Sequence, residues 1–437
     1  MPIVPPTASR RPLKLILLGL LFSHAAAADD AFIIGVGTHL MNRGSWPERA
    51  LELLEAAGVN SVRDDAYWSV AEPRRGKLRI HHNWRAYLET AQEHRLRPLL
   101  VLGYGNPLYD NYAKPRQPAL RDAFGNYVGF ISKELAGQAN FYEVWNEWDR
   151  ENPVDDDFMR DYARLVEDTS SRLRASGQPV TILAGAVTST GLDVGFAERL
   201  LATGVLEKVD GLSLHPFVHC RFEERHTPEH WIAWLRRLDG DLQRVSGRPV
   251  PLYLTEIGWP SNEGRCGVDE RTQAAYLARS LFLAQTLPDI KGVWWKSLTN
   301  DGDSRLDPEQ NFGLFNQDLS PKPAYLTLKA ISPTLRGFRY DAEKSRENES
   351  LFLLRFNRGA EQVLVAWSTG LTRRVQVDAS SVQSGNVQWI DSGAPENGRS
   401  DSGIPWDCND GRCSAQVSVD AFPKIISLGS KPPLFAQ

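Results

Sequence analysis

Two short runs hold the residues best suited to chemistry: Glu143-Val144-Trp145-Asn146-Glu147-Trp148-Asp149 and Leu252-Tyr253-Leu254-Thr255-Glu256-Ile257-Gly258-Trp259-Pro260. Each places a glutamate at the end of an apolar, strand-like run and surrounds it with tryptophan. Two carboxylates among aromatic rings suit the cleavage of a sugar–sugar bond. One carboxyl delivers a proton to the leaving oxygen, and the other attacks or stabilises the cationic sugar carbon. Glu147 and Glu256 are therefore the candidate catalytic pair. A tryptophan ring offers a flat apolar face with one N–H donor, which fits stacking on a sugar. The chain has 13 tryptophans. Core packing accounts for about half of them, because large aromatic side chains are mostly buried, and only those near strand ends are candidate sugar platforms.

Positioning two glutamates so far apart in sequence requires a scaffold that brings strand ends together. Strand-like runs occur at Phe32–His39, Ser61–Ala66, Pro98–Gly105, Asn140–Glu147, Thr181–Val187, Gly211–Phe217, Val250–Trp259 and Ile290–Leu298. Amphipathic helical stretches alternate with them: Pro47–Gly58, His81–Arg95, Ala119–Leu135, Asp156–Ser176, Asp193–Val209, Pro228–Val245 and Glu270–Leu287, with a last one at Ala324–Leu335. Eight strands, each followed by a helix, predict an α/β fold, a (β/α)8 TIM barrel. A doubly wound open sheet would bring a phosphate-binding glycine loop. Gly35-Val36-Gly37 lacks the third glycine and runs into His39 rather than a helix start, so that reading is rejected. After about residue 340 the runs are short and separated by Gly, Asn and Asp turns, as at Leu351–Phe356, Gln362–Trp367, Arg373–Val377, Val387–Ile390 and Ala415–Val419. They predict a small antiparallel β-sandwich-like domain. The expected organisation is a targeting segment at 1–28, a catalytic barrel at 29–339 and a β domain at 340–437.

In such a barrel, side chains at the C-terminal strand ends converge on one mouth. Glu147 ends the fourth strand and Glu256 lies near the end of the seventh. His39, Arg63, Tyr104, Asn106, His215, Trp294 and Trp295 end neighbouring strands. Period-two alternation lets only one of Trp294 and Trp295 face inward, and Trp295 is the favoured sugar platform. Glu143, four residues before Glu147, is expected deeper in the barrel, buried and paired. Arg63 has a plainer alternative as an ion-pair partner of Asp64 or Asp65, and His215 as a hydrogen-bonded rim histidine. Tyr109, Tyr112 and Trp259 could line a groove.

Trp145-Asn146-Glu147 and Thr255-Glu256-Ile257-Gly258-Trp259 resemble the clan of retaining glycoside hydrolases whose two carboxylates follow barrel strands four and seven. Val62-Arg63-Asp64-Asp65, with Trp68 and Glu72-Pro73, is similar to that clan's second-strand motif. Within the clan the chain is most similar to glycoside hydrolase family 39, over both the barrel and the trailing β domain. The resemblance implies that Glu147 is the acid/base, with a raised pKa, and that Glu256 is an ionised nucleophile held so by Arg63. It implies that Asn146 binds the sugar 2-hydroxyl. It further implies internal cleavage of a mannose-containing extracellular polysaccharide of a biofilm matrix. An exo-acting β-xylosidase-like enzyme, a transglycosylase and a non-catalytic carbohydrate-binding protein are the alternatives.

The remaining features set the surroundings. The chain has 437 residues, 24% of them charged, and a net charge of −4, with no basic excess that would suit nucleic acid. Arg10, Arg11 and Lys14 precede the apolar run Leu15–Phe22, and Ala25–Ala28 follow it. That pattern reads as a signal peptide, or alternatively a membrane tether. A periplasmic or secreted monomer is expected, with a polysaccharide as its partner and exopolysaccharide biosynthesis machinery as a further one. The four cysteines suit an oxidising compartment. Cys408 and Cys413 flank an Asp-Gly turn that a local disulfide would staple, which would leave Cys220 for Cys266, although spacing alone admits other pairings. His215, His219, Cys220, His226 and His230 superficially resemble a metal cluster. Pro216 makes a His215–His219 helical ligand pair unfavourable and no tight Cys-x-x-Cys spacing is present, so neither metal nor cofactor is expected.

Overall fold

The computed structural model describes Met1 and residues 32–43, 48–379, 386–389, 400–403, 406–409 and 412–430. The expected signal or tether segment lies outside these residues. Eight parallel strands close into a barrel in chain order: β1 (Ile33–Gly37), β2 (Ser61–Tyr67), β3 (Arg97–Gly103), β4 (Phe141–Val144), β5 (Thr181–Thr188), β6 (Gly211–His215), β7 (Leu252–Ile257) and β8 (Ile290–Trp295). The expected TIM barrel is the fold observed. β8 returns to pair with β1, Ile33 opposite Gly292 and Val36 opposite Trp295.

The barrel interior is packed, not open. Leu99, Phe141, Leu183 and Trp294 form a buried cluster inside it, joined by Ile33 and Tyr253. Gly35 is the residue that admits the Trp294 ring, since a Cβ there would lie 2.1 Å from the indole Cδ1. The indole N–H donates to Ser61 Oγ at 3.1 Å, so its one polar atom is satisfied. Burying a side chain of this size stabilises by roughly 4–6 kcal/mol.

The helices form for reasons visible in their sequences. Asp156–Arg174 buries Phe158, Met159, Tyr162, Leu165, Val166, Thr169 and Leu173, at the spacing of a single helical face. Asp155 caps it, its carboxylate accepting from the Asp157 and Phe158 N–H groups at 2.9 and 3.0 Å. Tyr162 of this helix donates to the Val144 carbonyl and accepts from the Gly185 N–H, each at 2.7 Å, clamping the end of β4 to β5. The expected helix at Asp193–Val209 is broken into Ser189–Asp193, Phe196–Ala202 and a 3-10 turn at Val205–Glu207. Gly195 and Gly204, with φ of 78° and 80°, take the left-handed conformation at the breaks.

Two strands depart from regular geometry where they reach the mouth. β4 ends earlier than expected, because Trp145 and Glu147 adopt positive φ of 66° and 46°. Between Leu254 and Ile257, β7 advances three residues while β8 advances two, from Val293 to Trp295. This bulge lets Thr255 and Glu256, adjacent in sequence, both turn toward the barrel axis.

After β8 the chain forms β9 (Arg339–Glu347), β10 (Leu351–Arg358), β11 (Glu361–Ser368), β12 (Arg373–Ala379), β13 (Asn386–Trp389), β14 (Ser400–Gly403), β15 (Asp407–Asn409), β16 (Arg412–Val419) and β17 (Lys424–Ser430). They make a six-stranded sheet ordered β14-β13-β17-β11-β10-β9 and a three-stranded sheet ordered β12-β16-β15. Leu364, Val377, Val417, Val419, Ile426 and Leu428 fill the space between the two sheets. The described residues between Phe32 and Ser430 form a single compact unit. The helix Glu270–Ala284 explains why: every residue from Gln273 to Ala284 is buried, so it is covered on both sides. On the side of the sheets, Phe282 packs on Phe356 with ring centroids 5.5 Å apart. Disulfides join Cys220 to Cys266 and Cys408 to Cys413.

Candidate active site

Arg63 organises the mouth. It projects from β2 and is only 2% exposed. Its Nε donates to Glu143 Oε2 at 2.8 Å, Nη1 to Glu256 Oε1 at 2.6 Å and Nη2 to Asn146 Oδ1 at 2.8 Å. The plainer expectation, pairing with Asp64 or Asp65, does not hold. Asp64 accepts from the Thr38 hydroxyl and from the Leu40 and Met41 N–H groups. Asp65 Oδ2 lies 3.5 Å from His39 Nδ1. Glu143 is fully buried and paired, as expected.

Each Arg63 contact has a chemical consequence. Burial alone would raise the Glu256 pKa, but His215, Arg63, Lys296 and His39 outweigh it and hold the carboxyl well below the usual range. Glu256 is thus an ionised carboxylate in a largely dry site. Asn146 receives its hydrogen bond on the amide oxygen, which leaves its NH2 as the donor available to a ligand.

Glu147 faces Glu256 across the mouth, and His215 lies between them. One carboxylate oxygen from each glutamate and one His215 nitrogen all lie within 4.8 Å of one another. His215 Nδ1 is 3.0 Å from Glu147 Oε1 and 3.9 Å from Glu256 Oε2. The expected raised pKa of Glu147 is not found. Burial and Glu256 act upward, but the contacts with His215 and Arg150 hold the carboxyl below its ordinary value. For His215, burial acts downward, yet Glu256 and Glu147 outweigh it and raise its pKa.

The remaining candidates divide. His39, with φ of 52° and a side chain 37% exposed, sits at the rim. Burial would lower its pKa, but Asp65, with Asp64 and Glu256, raises it to about 9. Tyr104 also lines the mouth, its ring edge-on to Tyr67 at 5.3 Å. The expected platform at the end of β8 is not formed by either tryptophan. Trp294 is inside the barrel with no exposed surface, and Trp295 is 3% exposed with its N–H on the Phe312 carbonyl at 2.9 Å. Alternation along β8 instead brings Lys296, two residues beyond Trp294, to the mouth. Its Nζ lies 4.8 Å from the Phe312 ring centroid and 2.6 Å from Glu309 Oε2. Burial acts against its charge, but Glu256 and Glu309 raise its pKa, so it stays cationic. Lys296 and Thr255 are the residues that sequence reasoning missed. The signal for Lys296 was its period-two spacing from Trp294. Of the proposed groove residues, Tyr112 is exposed, Tyr109 donates to Glu72 Oε1 at 2.6 Å and Trp259 is buried. His215 spends both ring nitrogens on protein partners, Glu147 and Thr255, rather than standing free for a sugar. Asn106 is buried and braces the loop after β3 through the Glu72 carbonyl and the Leu108 N–H.

Among the described residues, Glu147, His215 and Glu256 form the one group spaced to hold a metal ion. The Arg63 guanidinium already occupies Glu256 Oε1, and Lys296 adds a second cation, so the local charge disfavours a divalent ion. In the superficial histidine–cysteine cluster, Cys220 is in a disulfide and His219 packs edge-on to Phe217 and Phe312.

No family model matches the chain, and no curated protein matches it. Solved structures do share its fold. A family 39 glycoside hydrolase from the gut symbiont Bacteroides cellulosilyticus WH2 superposes with a TM-score of 0.75 at 23% identity, covering 92% of this chain and 82% of that one. A monomeric beta-xylosidase from Caulobacter crescentus CB15 gives 0.59 at 14% identity, covering 92% and 97%. A family 30 endoxylanase from Clostridium papyrosolvens C71 gives 0.62 at 12% identity, covering 92% and 98%. The shared architecture includes the barrel and reaches into the trailing β sheets.

Proposed function

We propose that this protein is a retaining glycoside hydrolase that cleaves a polysaccharide by double displacement. One observation carries the reading: Glu147 and Glu256 face each other with carboxylate oxygens within 4.8 Å, and Arg63 holds Glu256 ionised at 2.6 Å. A separation of ~5–5.5 Å leaves no room for water between carboxyls, which is the requirement for nucleophilic attack rather than inversion. Glu256 attacks the anomeric carbon, Glu147 protonates the leaving oxygen, and water then releases the sugar. Asn146 donates to a sugar hydroxyl near the reacting carbon.

The substrate class follows from sequence resemblance. The chain is similar to PslG, a hydrolase of a bacterial biofilm exopolysaccharide, and this supports endo-action on a mannose-containing exopolysaccharide during matrix synthesis or turnover. A periplasmic or secreted monomer fits the N-terminal charge and apolar pattern and the two disulfides. An inner-membrane tether through the same segment would place it beside the biosynthesis machinery. The second reading, an exo-acting β-xylosidase-like enzyme, is favoured by the likeness to the Caulobacter beta-xylosidase.

The test uses a mannose-containing exopolysaccharide and a xylo-oligosaccharide in parallel, with release of reducing ends as the measurement. Internal cleavage of the first supports endo-action, and stepwise xylose release from the second supports the alternative. Glu256→Gln should abolish turnover. Glu147→Gln should cost roughly 10²–10⁴-fold, the usual contribution of general acid catalysis. Near-normal turnover in either variant would reject the assignment.

A further inference from the structure

His215 is fully buried, and neither of its nitrogens reaches solvent. A hydrogen-bond chain runs through it from the barrel interior to the mouth. Glu143 is paired with the Arg63 guanidinium and acts as an acceptor. The Thr255 hydroxyl donates to Glu143 Oε1 at 2.7 Å. A hydroxyl has a single hydrogen, so Thr255 Oγ1 can then only accept from His215 Nε2, 3.1 Å away. Nε2 therefore carries a proton whatever the charge of the ring. At the other end, Nδ1 and Glu147 Oε1 lie 3.0 Å apart. Two lone pairs cannot face each other at that distance in a dry site without a large cost. One proton must lie between them, either as imidazolium N–H to carboxylate or as carboxylic O–H to neutral imidazole.

We propose that His215 is a positioning residue that stores the proton which Glu147 delivers, with its tautomer locked by the Glu143–Thr255 pair. This rests on the glycosidase reading of the same site. At rest, the proton sits on His215 Nδ1. When the substrate binds, Glu256 forms a bond to the anomeric carbon, the bond from that carbon to the leaving oxygen breaks, and the proton passes from Nδ1 through Glu147 to that oxygen. His215 is then neutral and Glu147 is a carboxylate. In the second step, water attacks the anomeric carbon, the bond to Glu256 breaks, and the water's proton returns to the Glu147–His215 pair. Charge and protons balance over the cycle, and the acid and its store behave as one coupled site. The pKa directions agree, with His215 raised and Glu147 lowered.

The charged groups facing this pair come from several elements: Arg63 on β2, Glu143 on β4, Arg150 in the turn after it, Glu256 on β7 and Lys296 after β8. The test therefore reads the imidazole directly. The full chain is labelled with nitrogen-15 at its nine histidine rings, and the His215 signals are assigned by their loss in His215→Gln. Two-bond proton–nitrogen spectra recorded against pH should show Nε2–H throughout, with Nδ1 also protonated at neutral pH. Glu147→Gln should lower the His215 pKa by at least about one unit, because an opposite charge at contact distance is removed. Thr255→Val removes the lock, and the neutral ring should then populate Nδ1–H. Thr255→Ser keeps the hydroxyl and should restore the parent spectrum, which separates loss of the lock from general damage. A neutral Nδ1–H tautomer in the parent, or a His215 signal indifferent to Glu147→Gln and Thr255→Val, would overturn the proposal. The spectra need no substrate. Cleavage of the polysaccharide with the wrong tautomer rejects the proton store alone, and the right tautomer without cleavage rejects the glycosidase reading.

Discussion

Glu147 and Glu256 are identical side chains that their neighbours place in different electrostatic settings. Arg63 and Lys296 stabilise negative charge on Glu256, while Glu147 is in hydrogen-bond contact with His215. Lys296 is the informative residue for testing this division. Its positive charge helps keep the Glu256 pKa low, and removing a nearby cation favours the neutral acid. The sign follows: Lys296→Met should raise the Glu256 pKa, so the acidic limb of the kcat/KM profile should move to higher pH. At the pH optimum the loss should be smaller than in Glu256→Gln, since Arg63 remains. A profile whose acidic limb is unmoved would show that Lys296 does not act on Glu256. His39 gives a second pH effect. Its folded pKa of about 9 lies above the ordinary 6.5. Its contact with Asp65 therefore stabilises the fold fully below pH 6.5 and fades as pH rises through about 9. His39→Gln should flatten the melting temperature between those limits, as followed by thermal melts across pH. The rim position makes the effect small, because solvent screens a side chain that is 37% exposed.

At the scale of elements, the sequence was most informative where periodicity is strong. Eight strand-like runs between amphipathic helices were legible, and so were Glu147 and Glu256 at the ends of the fourth and seventh. Side-chain direction at the mouth was not. Strict alternation allows only one of Thr255 and Glu256 to face inward, and the bulge in β7 that admits both is a property of pairing with β8. The same limit misplaced the tryptophans of β8. Trp294 has the inward parity but lies a layer too deep, in the space that Gly35 leaves, and only the register with β1 determines that depth. The positive φ values of Trp145 and Glu147 were equally hidden, since neither residue type signals a left-handed backbone. The loops after β6 and β7 carry the next prediction. The Cys220–Cys266 disulfide ties them together across 46 residues of chain. Closing a loop of that length restricts the unfolded chain by about 4 kcal/mol in the chain-entropy picture. The double variant Cys220→Ala with Cys266→Ala should therefore melt several degrees lower. It should also lose turnover, because His215 and Glu256 sit at the bases of those two loops. An unchanged melting temperature would mean that packing alone fixes the loops.

At the scale of the whole molecule, the trailing sheets are part of the barrel's structure. The hydrophobic core runs without a break from the barrel helices into Phe352, Leu354, Phe356, Val365 and Trp367. Polar contacts also cross this junction. Trp367 donates its indole N–H to Glu229 Oε1 at 2.8 Å, and the same carboxylate is paired with Arg279. Arg236 reaches Glu347 at 2.9 Å. A chain ending at residue 340 would expose the apolar side of the helix Glu270–Ala284 and leave the Glu229–Arg279 pair facing water. It should therefore be insoluble or melt far below the full chain. Because a truncation can fail for trivial reasons, Trp367→Ala in the full chain is the sharper measurement. Removing a fully buried tryptophan costs about 3–5 kcal/mol, and here it also leaves Glu229 without one of its donors. If the sheets brace the barrel, this change should lower the temperature at which the mouth loses structure, as followed by His215 imidazole signals, together with that of the sheets. Two separate transitions, with the barrel melting at its original temperature, would show an appended module instead. Coincident loss would mean that the mouth carrying Glu147 and Glu256 keeps its geometry only while the sheets at the far end of the chain remain packed against the helix behind β8.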